Sequence, residues 1–416
     1  MLFHVPPSLR HRKFRLLWIG LAISMAGSQM QVWALFWHIR TLTDQPIALG
    51  GVGLARIAPI IVFSLVGGAV ADALNRRRVL FLTQAIMVLV ALALTWLTFR
   101  EETTLWHIYV LTAIQAVAIS FDSPARQALV PNLVPSRDLP NAFSLTSIAH
   151  QSGAIVGPAL SGLVIAYWGQ AYTYLINAIT YLAVIVALIW MGTVAQEVLP
   201  TRRKAVSWVS IIEGVHFIIG HPIILSTMLL DFFATFFSSA RTLMPIFARD
   251  ILHVGAIGYG WLSAAESIGA MAAALIISQM IEIRRQGKVF LTSVLVFGLA
   301  TIGFGLARTF SLAMLALILM GASDSVSTII RNTIRQLQTP DHIRGRMTSV
   351  NQIFFMGGPQ LGEVEAGVAA QLFGAPFAVV SGGIGCMLAV SWVARRWTQM
   401  VSYNGDEPVR AGATAD

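Results

Sequence analysis

Apolar residues run along almost the whole chain in long blocks separated by short polar breaks. The blocks fall at 14–39, 47–71, 79–99, 105–130, 140–168, 171–192, 222–248, 256–281, 288–307, 310–336, 346–373 and 375–394. None alternates with period two, which argues against the strands of a barrel, and about twenty apolar residues rising 1.5 Å each cross the ~30 Å hydrocarbon core of a bilayer. A backbone in lipid must satisfy its own hydrogen bonds, which a helix does within one segment. The pattern therefore predicts an all-α membrane protein of twelve transmembrane helices. The first block starts at Phe14 behind Arg10, Arg12, Lys13 and Arg15. It is too long for a signal peptide and has no small-residue cleavage site, so it reads as the first span.

The breaks carry the topology. The stretch 67–78, GGAVADALNRRR, joins the second and third blocks with one acid (Asp72), a turn residue (Asn75) and three arginines, Arg76, Arg77 and Arg78. Arg137, Arg202, Arg203, Lys204, Arg284, Arg285, Lys288, Arg344, Arg346, Arg395 and Arg396 fall on the same side, while Arg40, Arg100, Arg249 and Arg308 fall on the other. Basic residues mark the cytoplasmic side, so both termini are expected there. A polar stretch at about 193–207, followed by Trp208, Ile211, Ile212, Val215, Ile218 and Ile219 at helical spacing, reads as a cytoplasmic linker (193–221) ending in a surface-lying amphipathic helix. It separates an N-terminal six-helix bundle (1–192) from a C-terminal one (222–396), and the polar tail 397–416 is expected to be disordered.

The two halves repeat. Gly153, Gly157, Gly162 and Gly169 recur as Gly358, Gly362, Gly367 and Gly374, each shifted by 205, as are Pro135 to Pro340 and Ser144 to Ser349. Asp122 and Asp324 stand 202 apart. Two copies of a six-span unit in the same orientation point to a transporter with its site between the halves.

Composition agrees with this picture. The 416 residues are 56% hydrophobic and only 11% charged, against roughly 25% charged in soluble domains. Mean hydropathy is +0.72. The net charge of +9 comes from the alternate loops, which removes the argument for a nucleic-acid partner. Cys386 is the only cysteine, so an intrachain disulfide and a cysteine metal cluster are excluded. No phosphate-binding GxxxxGK[ST], no GxSxG and no HExxH appears, and the histidines lack metal-ligand spacing. An enzyme, a cofactor and a bound metal are not expected.

Several motifs carry a resemblance. Gly68-x-x-x-Asp72-x-x-x-Arg76-Arg77 resembles the loop signature between spans two and three of the major facilitator superfamily, with Ala73 in place of a usual basic residue and Asn75 in place of a usual glycine. Gly153-x-x-x-Gly157-Pro158 resembles the span-five signature of antiporter-type exporters. SMAGSQMQVWAL, ALGGVGLARIAPI and FDSPARQALVPNLVPSRDLPNAFSL resemble the secretion-effector branch that includes enterobactin exporters. The resemblance covers the whole chain. It implies the major facilitator fold of two pseudo-symmetric bundles, a monomer in a bacterial-type inner membrane, and proton-coupled export of a small amphipathic molecule such as a drug, siderophore or metabolite. The alternatives are an uptake symporter or uniporter, and a non-transporting membrane sensor or lipid-handling protein.

The resemblance also distributes roles. It implies a cytoplasmic gate of Asp72, Arg76 and Asp122, with Arg126 four residues from Asp122 and able to pair with it. It implies a hinge at Gly153, Gly157 and Pro158. Ionisable residues deep in a span are costly and usually face a cavity or a partner. Those here include Arg56, His150, Asp231, Arg241, Glu266, Glu363 and Glu365. In the superfamily, spans two and eleven adjoin, as do five and eight, so Arg56 is expected to meet Glu363, and His150 to meet Glu266. Spans one, four, seven and ten line the cavity there. That favours Asp231 as the proton-accepting acid, with Glu266 second, because a proton carrier needs a buried carboxylate without a fixed partner. The alternative is an Asp231 neutralised by a nearby arginine and purely structural. Gln29, Gln31 and Trp33 are candidate cavity lining. Phe232, Phe233, Phe236 and Phe237 are too many for one helix face, so some are expected to face lipid.

Overall fold

A computed structural model describes residues 6–194, 208–237, 240–280 and 283–405; the side chains of 64–69, 71–72, 208–212, 341–342, 344–345, 349 and 352–356 lie outside the description. Among the described residues the chain is helical with no strand. The spanning helices of the first half are α1 (Arg12–Leu42), α2 (Ile47–Ala73), α3 (Arg76–Phe99), α4 (Leu105–Leu129), α5 (Leu139–Trp168) and α6 (Gln170–Met191). A short α7 (Trp208–Gly220) leads to α8 (Pro222–Phe237) and α9 (Ala240–Ile246), which together with a π turn at Phe247–Ile251 make the seventh span. Then follow α10 (Gly255–Ser278), α11 (Gln286–Leu306), α12 (Phe310–Leu337), α13 (Asp341–Phe373), α14 (Ala375–Arg396) and α15 (Thr398–Ser402). Among the described residues ten spans are long and apolar enough to cross a membrane by composition, and α2 and α13, with 27 and 33 residues, have the length to complete the twelve.

Local chemistry sets the helix ends. Asn75 caps α3 by accepting the Arg78 backbone N–H at 3.2 Å, and Thr104 caps α4 with a reciprocal bond to His107. Gly169 between α5 and α6 has φ +86°, and its repeat partner Gly374 between α13 and α14 has φ +88°. Both turns need a left-handed residue, which glycine supplies without a Cβ clash.

Packing divides the chain into two units. The first comprises Met1–Asp44, Ala55–Ala205 and Gly255–Ala264; the second comprises Gln45–Leu54, Val206–Val254 and Ala265–Asp416. In the first, α1 packs on α5 and α6, and α3 on α4 and α6, around a core that includes Phe14, Leu17, Leu80, Ala125 and Leu188. The first ten residues of α10 belong to this unit, where a Cβ on Gly162 would lie 2.8 Å from the Gly260 Cα. In the second, α11 packs on α12 and α14, and α13 on α8 and α14. There the opening residues of α2 are seated, and a Cβ on Gly367 would lie 3.0 Å from the Gly50 Cα. Gly162 and Gly367 are repeat mates, so each unit uses the same glycine for a close backbone crossing.

Two expectations are corrected. The segment from Trp397 to Gly405, expected to be disordered, docks on the second unit. Met400 and Tyr403 are buried, Gly287 N–H donates to the Tyr403 carbonyl at 2.9 Å, and Gln338 Nε2 donates to the Tyr403 hydroxyl at 3.2 Å. The rest of that tail, 406–416, lies outside the described residues, as does 195–207 of the linker. The helix α7 was expected to lie on the membrane surface. It packs instead on α13: Ile218 is buried with Met347 and Val350, and Glu213 pairs with Arg346 at 2.5 Å. Gly214 permits that approach, since a Cβ there would lie 3.0 Å from the Arg346 carbonyl oxygen.

Candidate functional site

In the first unit, Asp122 is buried on α4 and ion-paired with Arg126, one turn further on the same helix. It also accepts from Gln84 Nε2 at 2.8 Å and Thr83 Oγ1 at 3.1 Å, both on α3. With three donors on one carboxylate, this pair locks α3 to α4. The hairpin arginines reach across to other helix ends. Arg76 donates to the Ala128 carbonyl at 2.9 Å and to Asn132 Oδ1 at 2.8 Å, and Arg77 Nε donates to the Leu188 carbonyl at 2.7 Å. Cations at the C-terminal ends of α4 and α6 meet the negative end of each helix dipole. The side chain of Asp72 lies outside the description, so its proposed pairing with this group is a matter for experiment.

Gly153 and Gly157 lie where α5 crosses α1. A Cβ on Gly157 would sit 2.5 Å from the Gln29 Cβ and 2.7 Å from the Ala26 carbonyl oxygen, and one on Gly153 would sit 3.0 Å from the Met25 carbonyl carbon. α5 runs continuously through Pro158. Ser161 Oγ ties the crossing by donating to the Met30 carbonyl at 3.0 Å.

The same unit holds a polar chain that sequence reasoning missed. Asn177 Nδ2 donates to Gln31 Oε1 at 2.7 Å, Gln31 Nε2 to Gln115 Oε1 at 2.9 Å, and Gln115 Nε2 to the Tyr181 hydroxyl at 2.9 Å. Ser28 Oγ joins the Tyr181 hydroxyl at 3.1 Å. Gln31, Asn177 and Tyr181 are buried while Gln115 is half-buried, so a neutral hydrogen-bonded line joins α1, α4 and α6. Gln29 is half-buried outside this line. Trp33 is buried, with its ring 5.9 Å from Tyr259, whose hydroxyl donates to the Trp33 carbonyl at 2.8 Å. Trp33 is thus part of the packing between α1 and the start of α10. The Arg56 guanidinium lies over the Phe36 ring at 5.6 Å.

The second unit corrects the assignment of Asp231. Its carboxylate is buried and held from two sides, by Arg331 Nη1 at 3.0 Å and Arg335 Nη2 at 3.4 Å. Arg335 is fixed in turn by Thr227, whose hydroxyl and carbonyl both accept at 3.1 Å. Arg331 also lies 3.8 Å from Asp324. Asp231 therefore has the fixed partners that a proton carrier lacks. This cluster is the repeat's counterpart of Asp122–Arg126: Arg331 is Arg126 shifted by 205. Where the first unit places its acid one turn before the arginine, the second has Ser327 and takes its acid from α8.

Glu266, expected opposite His150, is engaged by Arg241. Arg241 Nε donates to Glu266 Oε2 at 2.5 Å. The Glu266 side chain is 10% exposed and that of Arg241 63% exposed. Glu266 is the twelfth of the 24 residues of α10, at mid-span. Its backbone presses on Gly321 of α12, where any side chain would collide with it. An acid buried this deeply, with its guanidinium partner half-open, differs in kind from the Asp231 cluster. The Nη1 and Nη2 edge of Arg241, a two-pronged donor, is not used by Glu266. His150 is exposed on α5. Glu363 on α13 packs its Oε2 against the backbone of α2 at Gly53, where a Cβ would lie 3.1 Å from that oxygen. The phenylalanines of α8, some of which were expected to face lipid, are all half-buried. Phe233 meets Trp392 edge-on at 6.2 Å, and the Phe237 backbone and ring press on Gly382 and Gly385 of α14, while Phe232 and Phe236 stack on each other at 5.8 Å.

Comparisons with known proteins agree with the fold and with the class. A family profile described as transmembrane secretion effector matches residues 5–406. The enterobactin exporter EntS of Salmonella choleraesuis is 25% identical over 82% of this chain and 81% of its own length. That of Shigella boydii is 26% identical over the same shares. Among solved structures, an inward-facing, unoccupied bacterial homologue of the human lysosomal transporter Spinster has a TM-score of 0.73 at 12% identity, covering 95% of this chain and 99% of its own. A POT family transporter in complex with 5-aminolevulinic acid has a TM-score of 0.72 at 14% identity, covering 97% and 98%. At these identities the structures show a shared fold: the twelve-helix arrangement of major facilitator transporters.

Proposed function

This chain belongs to the transmembrane secretion effector family of membrane transporters, and from that premise we propose that it exports a small amphipathic molecule in exchange for protons, by alternating access. The relatives it matches export enterobactin, and a siderophore, a drug or a secreted metabolite is the substrate class we assign here. We place it in a bacterial-type inner membrane, as a monomer with both termini cytoplasmic, on the distribution of basic residues.

The observation that carries the reading is the Arg241–Glu266 pair. A guanidinium 63% exposed within a span has no place in hydrocarbon and so belongs to a water-filled path. Glu266 is the acid we assign to the proton. While ionised, it holds Arg241 through Nε and aims the Nη edge outward; once protonated, it releases the guanidinium. A substrate with an uncharged acceptor, such as a carbonyl or hydroxyl, relies on that aim, so proton and substrate oppose each other, as exchange requires. An anionic group would behave in the opposite way. It would bind more tightly once Glu266 lost its charge and would travel with the proton. The charge of the substrate at the fork thus separates exchange from symport.

Metabolite profiling of culture fluid from deletion and overexpression strains identifies the substrate. Inside-out vesicles loaded with a pH dye and acidified inside then test coupling. Addition of that substrate should speed proton release, and a protonophore should abolish substrate accumulation. Accumulation that survives collapse of the gradient overturns proton coupling.

A further inference from the structure

A cavity of about 310 Å³ lies at one end of the first unit, where α1 begins and α6 ends. His11, just before α1, lines it with Arg12 and Lys13 of the first turn, and Trp190 and Met191 line it from the last turn of α6. We propose that it is a binding site for the phosphate headgroup of an anionic membrane lipid.

The charges come first. Lys13 Nζ donates to the Thr193 carbonyl at 2.7 Å, and an ammonium has two further donors. Arg12 is exposed and makes no ion pair with a described residue. The nearby acid, Asp138, is taken by His11 at 2.8 Å. The cavity therefore presents two cations to a ligand, at the positive end of a 31-residue helix.

The apolar surroundings distinguish a lipid from a soluble anion. Leu16 and Leu133 form part of the wall, and Trp190 stands 66% exposed at the rim. Below it, Ile19 and Ile23 continue the Leu16 face of α1 outward into the span, and Val186 and Ile189 do the same on α6, all exposed. A tryptophan at the polar boundary with exposed apolar side chains beneath it suits a headgroup above and acyl chains below. A free phosphate would use the cations and leave those side chains idle. A bound lipid would bridge the start of α1 to the end of α6.

The test uses the full chain, purified in mixed micelles containing equal amounts of phosphatidylglycerol and phosphatidylcholine with the same acyl chains. Retained lipid is read by native mass spectrometry. We expect phosphatidylglycerol to be favoured about thirtyfold, in line with ~1 kcal/mol for each of the two basic groups near a lipid phosphate. Arg12→Gln should cut that preference to about fivefold, and because Arg12 has no ion-pair partner among the described residues the fold should survive; a melting curve checks this. Arg15→Gln removes an equal charge from the same turn without touching the cavity and should leave the preference intact. Three outcomes overturn the proposal: equal retention of both lipids, equal loss in both variants, or displacement of the lipid by inorganic phosphate, which would mark a small-anion site.

Discussion

Asp231 and Arg331 lie 3.0 Å apart, each with only 4% of its side chain exposed, and Arg335 approaches the same carboxylate from the next turn. Charge removal from one side of such a cluster leaves the other side buried and uncompensated, at a cost of roughly 3–5 kcal/mol. Asp231→Asn should therefore lower the melting temperature and the yield of folded protein in detergent. Asp231→Asn combined with Arg331→Met should recover part of the loss. A stable Asp231→Asn protein with a selective defect in gradient-driven transport would return the proton to Asp231.

Glu266 should show the complementary behaviour. Glu266→Gln mimics the protonated acid permanently and leaves Arg241 unaimed, so exchange of substrate across the membrane should persist only with a raised KM, while accumulation driven by a pH gradient falls at least about tenfold. Arg241→Lys keeps a cation for Glu266 but loses the planar fork. It should raise the KM for substrate several-fold while the number of protons moved per substrate stays the same. Counterflow and pH-driven uptake in the same vesicle preparation separate the two effects. Persistence of full gradient-driven transport in Glu266→Gln would remove Glu266 from the coupling step.

The hairpin at 67–78 and the Asp122 lock offer a contrast between gate and scaffold. Asp122 receives Arg126, Gln84 and Thr83, so Asp122→Asn strips a buried network and should cost stability, about 1–3 kcal/mol. Asp72 ends α2 beside the arginines of the turn. Asp72→Asn should express at the wild-type level and slow transport about tenfold, the effect of shifting a two-state gate by ~1.4 kcal/mol. Melting curves and export rates measured on both variants check the assignment. Unchanged export in Asp72→Asn would leave the hairpin as a topology marker alone.

These residues also mark how far the fold and the site were legible before any coordinates. The repeat was readable because glycine records close helix crossings. Gly162 and Gly367, matched by register, meet Gly260 and Gly50 in the same way, and Gly169 and Gly374 share one turn geometry. Ion-pair partners were not readable, because they depend on how neighbouring helices are rotated. Asp231 and Arg335 stand 104 positions apart, and nothing in their spacing links them. Arg241, 25 positions before Glu266, reaches it from α9 across to α10. The docked Tyr403 was hidden by its neighbours, since a polar, glycine-bearing tail carries no periodicity to announce a single buried ring. Gln31 was marked as cavity lining, but its partners Gln115 and Asn177 were passed over for a simpler reason. A glutamine in an apolar helix draws less notice than a charge, although it too needs partners once buried.

Gln31 shows what those partners are worth. Its amide gives to Gln115 and receives from Asn177, so Gln31→Leu leaves one acceptor and one donor without their bonds, both close to a buried position on α1. Each orphaned group costs about 1–3 kcal/mol, more than the bond itself contributes. Asn177→Leu orphans only the Gln31 carbonyl within this line, so it should destabilise less than Gln31→Leu. The double substitution removes donor and acceptor together and should be milder than the sum, by ~0.5–3 kcal/mol of coupling. Thermal melts of the three variants measure this. A transport assay on Gln115→Ala then separates packing from substrate contact. Gln115 is the half-buried member of the line, so a KM that rises with the melting temperature nearly unchanged would assign its open edge to substrate, whereas a fall in melting temperature with KM unaltered would confine the line to holding α1, α4 and α6 together.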